Sequence, residues 1–307
     1  MTPSALRRRL LTIVAMMSTC GVLAIVPEQA GAVPTVGTPI SHVIEIMLEN
    51  HTFDDLFGHF PLANGIPIGT TFPNPAAPSN ASNRVGTLSA PANEGDVQSG
   101  LNNSRSAELA MMDRAPGGSD RMDGYTVFPG EGLSSITTFS AAADPNLQYL
   151  ARHFELADDN FQPAIAPTLP NVLDALAATS HGYLTNSVPA GGPPWRTIFD
   201  ELSAAHRSWR IYAGAPRSDF TGTVWPSLLP SGTGANLTST SQFFSDIAQG
   251  RLPDFSFVRP GIGYSEEPPE DIGEGDAWLG QLVSVVAHSA YLTPGTTAFA
   301  EAFVDPR

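Results

Sequence analysis

The sequence predicts an α/β protein built on a mostly parallel sheet, and three observations carry that expectation. Ile40 to Leu48 is a nearly continuous apolar run, broken only by Glu45, of the kind a strand buried on both faces requires. Short apolar segments then alternate with stretches of helical spacing along the rest of the chain. The 28 glycines and 28 prolines are spread throughout, so no composition break marks a domain boundary. With 42% apolar and 15% charged residues, the 307-residue chain can bury a substantial core.

The first 32 residues stand apart from that fold. Arg7, Arg8 and Arg9 precede the apolar Leu10 to Val26, and Ala30-Gly31-Ala32 supplies small residues for cleavage, the layout of an export signal. A retained membrane anchor is the competing reading, at the short limit for a span and without a stop-transfer flank. The chain's single cysteine, Cys20, lies inside the segment, so cleavage near Ala32 would leave no thiol and no disulfide. The expected product is a secreted or cell-envelope protein whose folded domain runs from 33 to 307.

After the first strand, Glu49-Asn50 forms a polar corner and His51 to His59 carries Phe53, Leu56 and Phe57 at helical spacing. Residues 61 to 118 are rich in Pro, Asn, Ser, Ala and Gly and read as long loops. Helices are expected over Asn146 to Phe154, from Thr168 to about Thr179, over Thr197 to Ala205, Thr240 to Gln249 and Ala277 to Ser289. Strands are expected at Trp209 to Tyr212, Asp254 to Val258 and Thr297 to Val304. Thr168 stands where an N-cap belongs, with Pro170 inside the first turn.

Charge and motif content exclude several functions. Thirty acidic residues oppose fifteen basic ones, all arginine, and no basic run lies beyond the N-terminus, which argues against nucleic acid as a partner. The seven histidines are scattered with no H-x-x-x-H pair, so a zincin is excluded. No G-x-S-x-G elbow, P-loop or dinucleotide fingerprint is present. What remains is Glu49-Asn50 at a strand's carboxyl end, where open α/β sheets place ligands, and Thr168 at a helix start. Two adjacent oxygen donors suit a hard cation, yet equally suit a solvated corner that caps the next helix. A hydroxyl among free helix N–H groups can attack or bind a phosphoryl group, yet equally caps the helix.

The string Ser41-His42-Val43-Ile44-Glu45-Ile46-Met47-Leu48-Glu49-Asn50-His51-Thr52-Phe53-Asp54-Asp55-Leu56-Phe57-Gly58 resembles the opening motif of the bacterial phosphoesterase family that includes secreted phospholipases C and an acid phosphatase. That motif is an apolar strand followed by E-N-[RH]-[ST]-F-D and then F-G. Met122-Asp123-Gly124-Tyr125, Ala157-Asp158-Asp159-Asn160-Phe161, Pro167-Thr168-Leu169-Pro170-Asn171, Leu252-Pro253 and Ser265-Glu266 with Pro268-Pro269 follow in the family's order. The resemblance implies an alkaline-phosphatase-like three-layer sandwich and metal-dependent hydrolysis of phosphate esters, phospholipid or phosphomonoester. It matches Glu49 and Asn50 to the first pair of ligands of a divalent metal ion and Thr168 to a nucleophile that forms a phosphoryl-enzyme. Asn171 and Asp96 become substrate-binding candidates, Asp96 standing where the family usually has histidines.

The sequence departs from the family pattern in two further places. Glu267 replaces the histidine of Ser-Glu-His-Pro-Pro, and the family's later Asp-Glu-Gly-Gly-Gly-Phe and Asp-His-Val segments have no counterpart before Arg307. By that layout the domain is incomplete at its C-terminus, with Asp305 offset from the first missing acid. Two other functions compete with a phosphoesterase: a non-catalytic member that at most binds phosphate-containing ligands, and an acidic surface-binding protein of the cell envelope.

Overall fold

A computed structural model describes residues 40–49, 51–89, 100–114, 118, 120–187, 196–214 and 234–291, together with the backbone of 297–304. The expected export signal at 1–32, Asn50, Asp96 and Asp305 lie outside the described residues.

Strand β1 (His42–Glu49) is the predicted apolar run, and its burial shows why the run is continuous. Ile44, Ile46 and Leu48 join one core cluster, whereas Met47 joins a second on the opposite face. Alternating side chains therefore enter two separate cores, as expected of a strand covered on both sides. Glu45 is the one charged interruption, and burial pushes its carboxyl above the usual range.

The other elements, in chain order, are α1 (Phe53–Phe57), β2 (Thr71–Pro73), β3 (Arg84–Gly86), β4 (Leu88–Ser89), α2 (Arg105–Met111), β5 (Thr137–Thr138), α3 (Pro145–His153), α4 (Thr168–Ala177), α5 (Ile198–Ala204), β6 (Trp209–Ala213), β7 (Leu237–Ser239), α6 (Thr240–Ala248), β8 (Phe255–Arg259), α7 (Ile272–Ala287) and β9 (Thr297–Val304). Five strands form the main sheet in the order β7-β6-β8-β1-β9. All four strand pairs in it are parallel, with Val43 opposite Phe255 and Ile46 opposite Val258. Helices α1, α3, α6 and α7 share the core of Ile44, Ile46 and Leu48, and α4 and α5 pack on the face of Met47 and Phe257. The result is the expected three-layer α/β arrangement. No described helix is long and apolar enough to cross a membrane.

Three expectations need correction. The 61–118 stretch is not loop throughout: it holds the antiparallel β2–β3 pair and helix α2, which Ser104 caps by accepting from the Ala107 N–H at 3.4 Å. With only Ala107, Glu108 and Met111 buried, α2 shows too short an apolar stripe to be read from spacing. Helix α7 begins at Ile272, five residues before the expected Ala277, because Asp271 caps it through the Gly273 and Glu274 N–H groups. Thr168 is not the N-cap of α4. Pro167 holds that position and Thr168 is the first helical residue, which keeps Pro170 in the first turn as expected.

A cross-helix carboxylate organises the α3–α7 contact. Asp276 of α7 accepts from the Asn146 and Leu147 backbone N–H groups at 3.1 and 2.8 Å and from Asn146 Nδ2 at 2.8 Å, so it caps α3 from outside. The Asn146 amide lies so close to Gly280 that a Cβ there would stand 2.6 Å from its Cγ. Beside this cap Asp144 is fully buried, its Oδ2 accepting from Gln148 Nε2 at 3.3 Å and its Oδ1 without a partner among the described residues.

Burial pushes the Asp144 carboxyl up to about 7; the Gln148 bond opposes this, and the Asp276 charge adds to it. A carboxyl that holds its proton more tightly folded than unfolded lowers stability as pH rises from its unfolded pKa near 4 to about 7. Asp144→Asn removes that dependence. Thermal or urea unfolding should find the variant more stable than the parent above pH 7, by on the order of 4 kcal/mol, with the difference vanishing toward pH 4.

Candidate functional site

The carboxyl edge of the sheet is where chemistry-bearing residues converge. β1 ends on Glu49 and its neighbour β8 ends on Arg259, and the Arg259 Nη2 donates to Glu49 Oε1. Both residues are buried, at 7% and 6% exposure, so this is an ion pair held away from solvent. Each lies two residues beyond a member of the α4-side core, Met47 in one case and Phe257 in the other, so both side chains project toward α4. The connection into β6 crosses by α5 on that face while the connection into β9 crosses by α7 on the other. Ends of adjacent strands whose connections leave on opposite faces open the crevice in which α/β sheets bind ligands.

Backbone packing fixes the walls of this edge. Gly214, directly after β6, and Gly261, after β8, touch: a Cβ on Gly214 would stand 2.1 Å from Gly261 Cα, whereas one on Gly261 would stand 3.1 Å from Gly214 Cα. The Glu49 N–H donates to the Ser265 carbonyl at 3.3 Å. Glu270 in turn binds the segment around Ser265, accepting from the Gly263 N–H at 2.7 Å, the Ser265 N–H at 2.9 Å and the Ser265 hydroxyl at 2.6 Å. Glu266 is fully buried at φ +65°, a left-handed conformation that is uncommon for a side-chain-bearing residue. Its Cγ lies 2.3 Å from where a Cβ of residue 275 would be, which explains the glycine there. Glu267, in the place of the expected histidine, is exposed.

Helix α4 packs on the face of the sheet that carries Met47 and Phe257. Leu169, the second residue, packs in the cluster with Met47. Thr168 is buried at 8% exposure at the positive end of the helix dipole. Polar contacts from three side chains hold this start in place. The Leu169 N–H donates to Asn186 Oδ1 at 2.8 Å. Arg105 of α2 donates to the Ile165 carbonyl at 2.7 Å. Asn171 accepts from the Ala164 N–H at 3.2 Å and donates to the Ala166 and Pro167 carbonyls at 2.8 and 3.4 Å, so its amide braces the turn that delivers Thr168.

Glu49 and Thr168 thus belong to elements that share one face of the sheet, with Asn171 bracing the turn before Thr168 and Arg259, absent from the sequence-based candidates, against Glu49. No group of three or more His, Cys, Asp or Glu side chains able to share a metal ion occurs among the described residues. Glu49 meets a guanidinium there, and by themselves the described residues do not compose a metal centre. A cleft of about 1610 Å³ is lined by Met47 and Asn171 and by side chains including Phe53, Phe57, Tyr149 and Phe161. It exceeds the ordinary size of a small-molecule pocket, roughly 300–1,000 Å³.

A model of the phosphoesterase family matches residues 40–299. Non-specific phospholipase C6 of Arabidopsis thaliana is 25% identical over 272 residues, 82% of this chain and 51% of that protein. Phospholipase C B of Mycobacterium tuberculosis is 26% identical over 313 residues, 85% of this chain and 57% of that protein. Non-specific phospholipase C4 of Arabidopsis thaliana is 26% identical over 282 residues, 82% and 51% of the two chains. The chain spans about half the length of the curated relatives it matches.

The Gly214–Gly261 contact yields a graded expectation. Gly214→Ala drives a methyl into backbone that cannot rotate away and should cost about 2–3 kcal/mol in urea unfolding. Gly261→Ala, whose methyl meets a slightly wider gap, should cost clearly less; equal effects would contradict the packing described.

Proposed function

The chain belongs to the phosphoesterase family, and we propose that it is an exported hydrolase of phosphate esters that works through a phosphothreonine intermediate on Thr168. One observation carries this reading: a buried threonine at the first position of α4, a helix packed on the face of the sheet toward which Glu49 projects. The positive end of the helix dipole favours a phosphoryl group at that place.

In the proposed sequence the Thr168 oxygen bonds to phosphorus as the ester oxygen leaves, and the hydroxyl proton ends on the departing alcohol. Water then cleaves the Thr–O–P bond, restoring the hydroxyl and releasing phosphate from a phosphomonoester or the head-group monophosphate from a phospholipid. Asn171 serves by holding the 164–167 turn, and Asp96 remains a candidate substrate contact. Metal dependence belongs to the proposal, with Glu49 and Asn50 as ligands; a divalent cation would offset charge on the phosphoryl oxygens. The substrate class is a phosphate ester, phospholipid or phosphomonoester, with nucleic acid set aside by the acidic balance. Export follows from residues 1–32, cleaved near Ala32. The buried Glu49–Arg259 pair favours a second reading, a non-catalytic protein that binds phosphate-containing ligands.

Assays of a chromogenic phosphate monoester and of phosphatidylcholine vesicles, with metal content measured on the same sample, test this. Thr168→Ala should lower kcat at least about 10³-fold, and Glu49→Ala should lower both kcat and bound metal. Absence of turnover in the parent chain would support the binding reading, and turnover surviving Thr168→Ala would overturn the nucleophile.

A further inference from the structure

Arg259 is the only buried arginine among the described residues, and its place is a conspicuous one. It ends β8 at the carboxyl edge, beside the end of β1 and on the face that α4 covers. Burying a guanidinium costs several kcal/mol even when it is paired, and a hydrophobic pair of similar volume would commonly be as stable. A cation kept at that cost in a ligand crevice therefore calls for a use beyond stability. We propose that Arg259 is the phosphate-recognising cation of this site, held in place by Glu49 and binding the oxygens of a phosphoryl group beside the start of α4. This rests on the phosphoesterase reading for its substrate and adds to it a residue that recognises the anion.

The chemistry of the group supports the assignment. A guanidinium presents five N–H donors in a planar fork that matches the spacing of phosphate oxygens and stays charged at every working pH. One edge of such a fork can hold a carboxylate while another meets an anion, so Glu49 can orient Arg259 without using it up. The chain has no lysine, and Glu267 stands where the family pattern has a histidine. Phosphate recognition on an acidic chain must then come from fixed local donors, and a guanidinium at the end of a rigid strand, walled by the Gly214–Gly261 contact, is one. A positive group placed there before substrate arrives needs no reorganisation during reaction.

Calorimetric titration of the full chain with inorganic phosphate tests the assignment without requiring turnover. Arg259→Gln should weaken phosphate binding at least tenfold. Arg259→Lys, which keeps the charge and loses the fork, should fall between the two. In the parent chain, the guanidinium ¹⁵N signals of Arg259, assigned by their loss in Arg259→Lys, should shift on phosphate addition, a readout that does not depend on Arg259→Gln folding. Unaltered phosphate affinity in a folded Arg259→Gln, with only its melting temperature lowered, would reduce Arg259 to a structural ion pair and overturn the proposal. Failure of the parent chain to bind phosphate, or immobile Arg259 signals, would overturn it equally. Phosphate binding that depends on Arg259 in a chain without turnover would sustain this assignment while removing the hydrolytic reading, so the two fail separately.

Discussion

The site depends on one ion pair, that between Glu49 and Arg259 at the ends of two adjacent parallel strands. Its geometry follows from the register of β1 against β8, which pairs Val43 with Phe255 and Ile46 with Val258. A one-residue slip of β1 would turn Glu49 to the face opposite Arg259. The double-sided burial of β1 resists that slip, because Ile44, Ile46 and Leu48 would exchange cores with Met47. The core thus fixes the register, and the register brings two charges together where neither could be tolerated alone.

Around this pair, the loops are held by polar contacts that cross long stretches of sequence. Glu270 gathers the segment that accepts the Glu49 N–H, while Asn171, Arg105 and Asn186 hold the start of α4. Asp276 caps α3 from a neighbouring helix. Every one of these contacts satisfies a backbone group that would otherwise be costly to bury, which is how a chain rich in proline and glycine builds a fixed site from irregular segments. Close backbone approaches do the remainder: Gly275 makes room for Glu266, and Gly280 for Asn146.

The elements legible in the sequence are those whose side chains report their own surroundings. β1, β6, β8 and α4 announce themselves through apolar runs or spacing, and the order of family motifs identifies the strand end and helix start. Helix α2 is hidden because its buried stripe is too short, and the first turn of α7 because Gly273 and Gly275 dilute its pattern. Thr168 looked like a cap because threonine favours that position, whereas Pro167 takes it. Arg259 could not be singled out at all: its partner lies 210 residues away, and nothing in the local string Ser256-Phe257-Val258-Arg259 distinguishes it from a surface arginine at a strand end.

The central claim is that Thr168 becomes covalently phosphorylated during turnover. Acid quenching of the chain in the presence of a rapidly cleaved phosphate ester, followed by peptide mass spectrometry, reads this directly. The account predicts one added phosphoryl group on the peptide containing Thr168, located on that residue and discharged on further incubation. Turnover with the phosphoryl group on another residue, or with no covalent species under conditions that trap one in a control phosphoryl-enzyme, would contradict it.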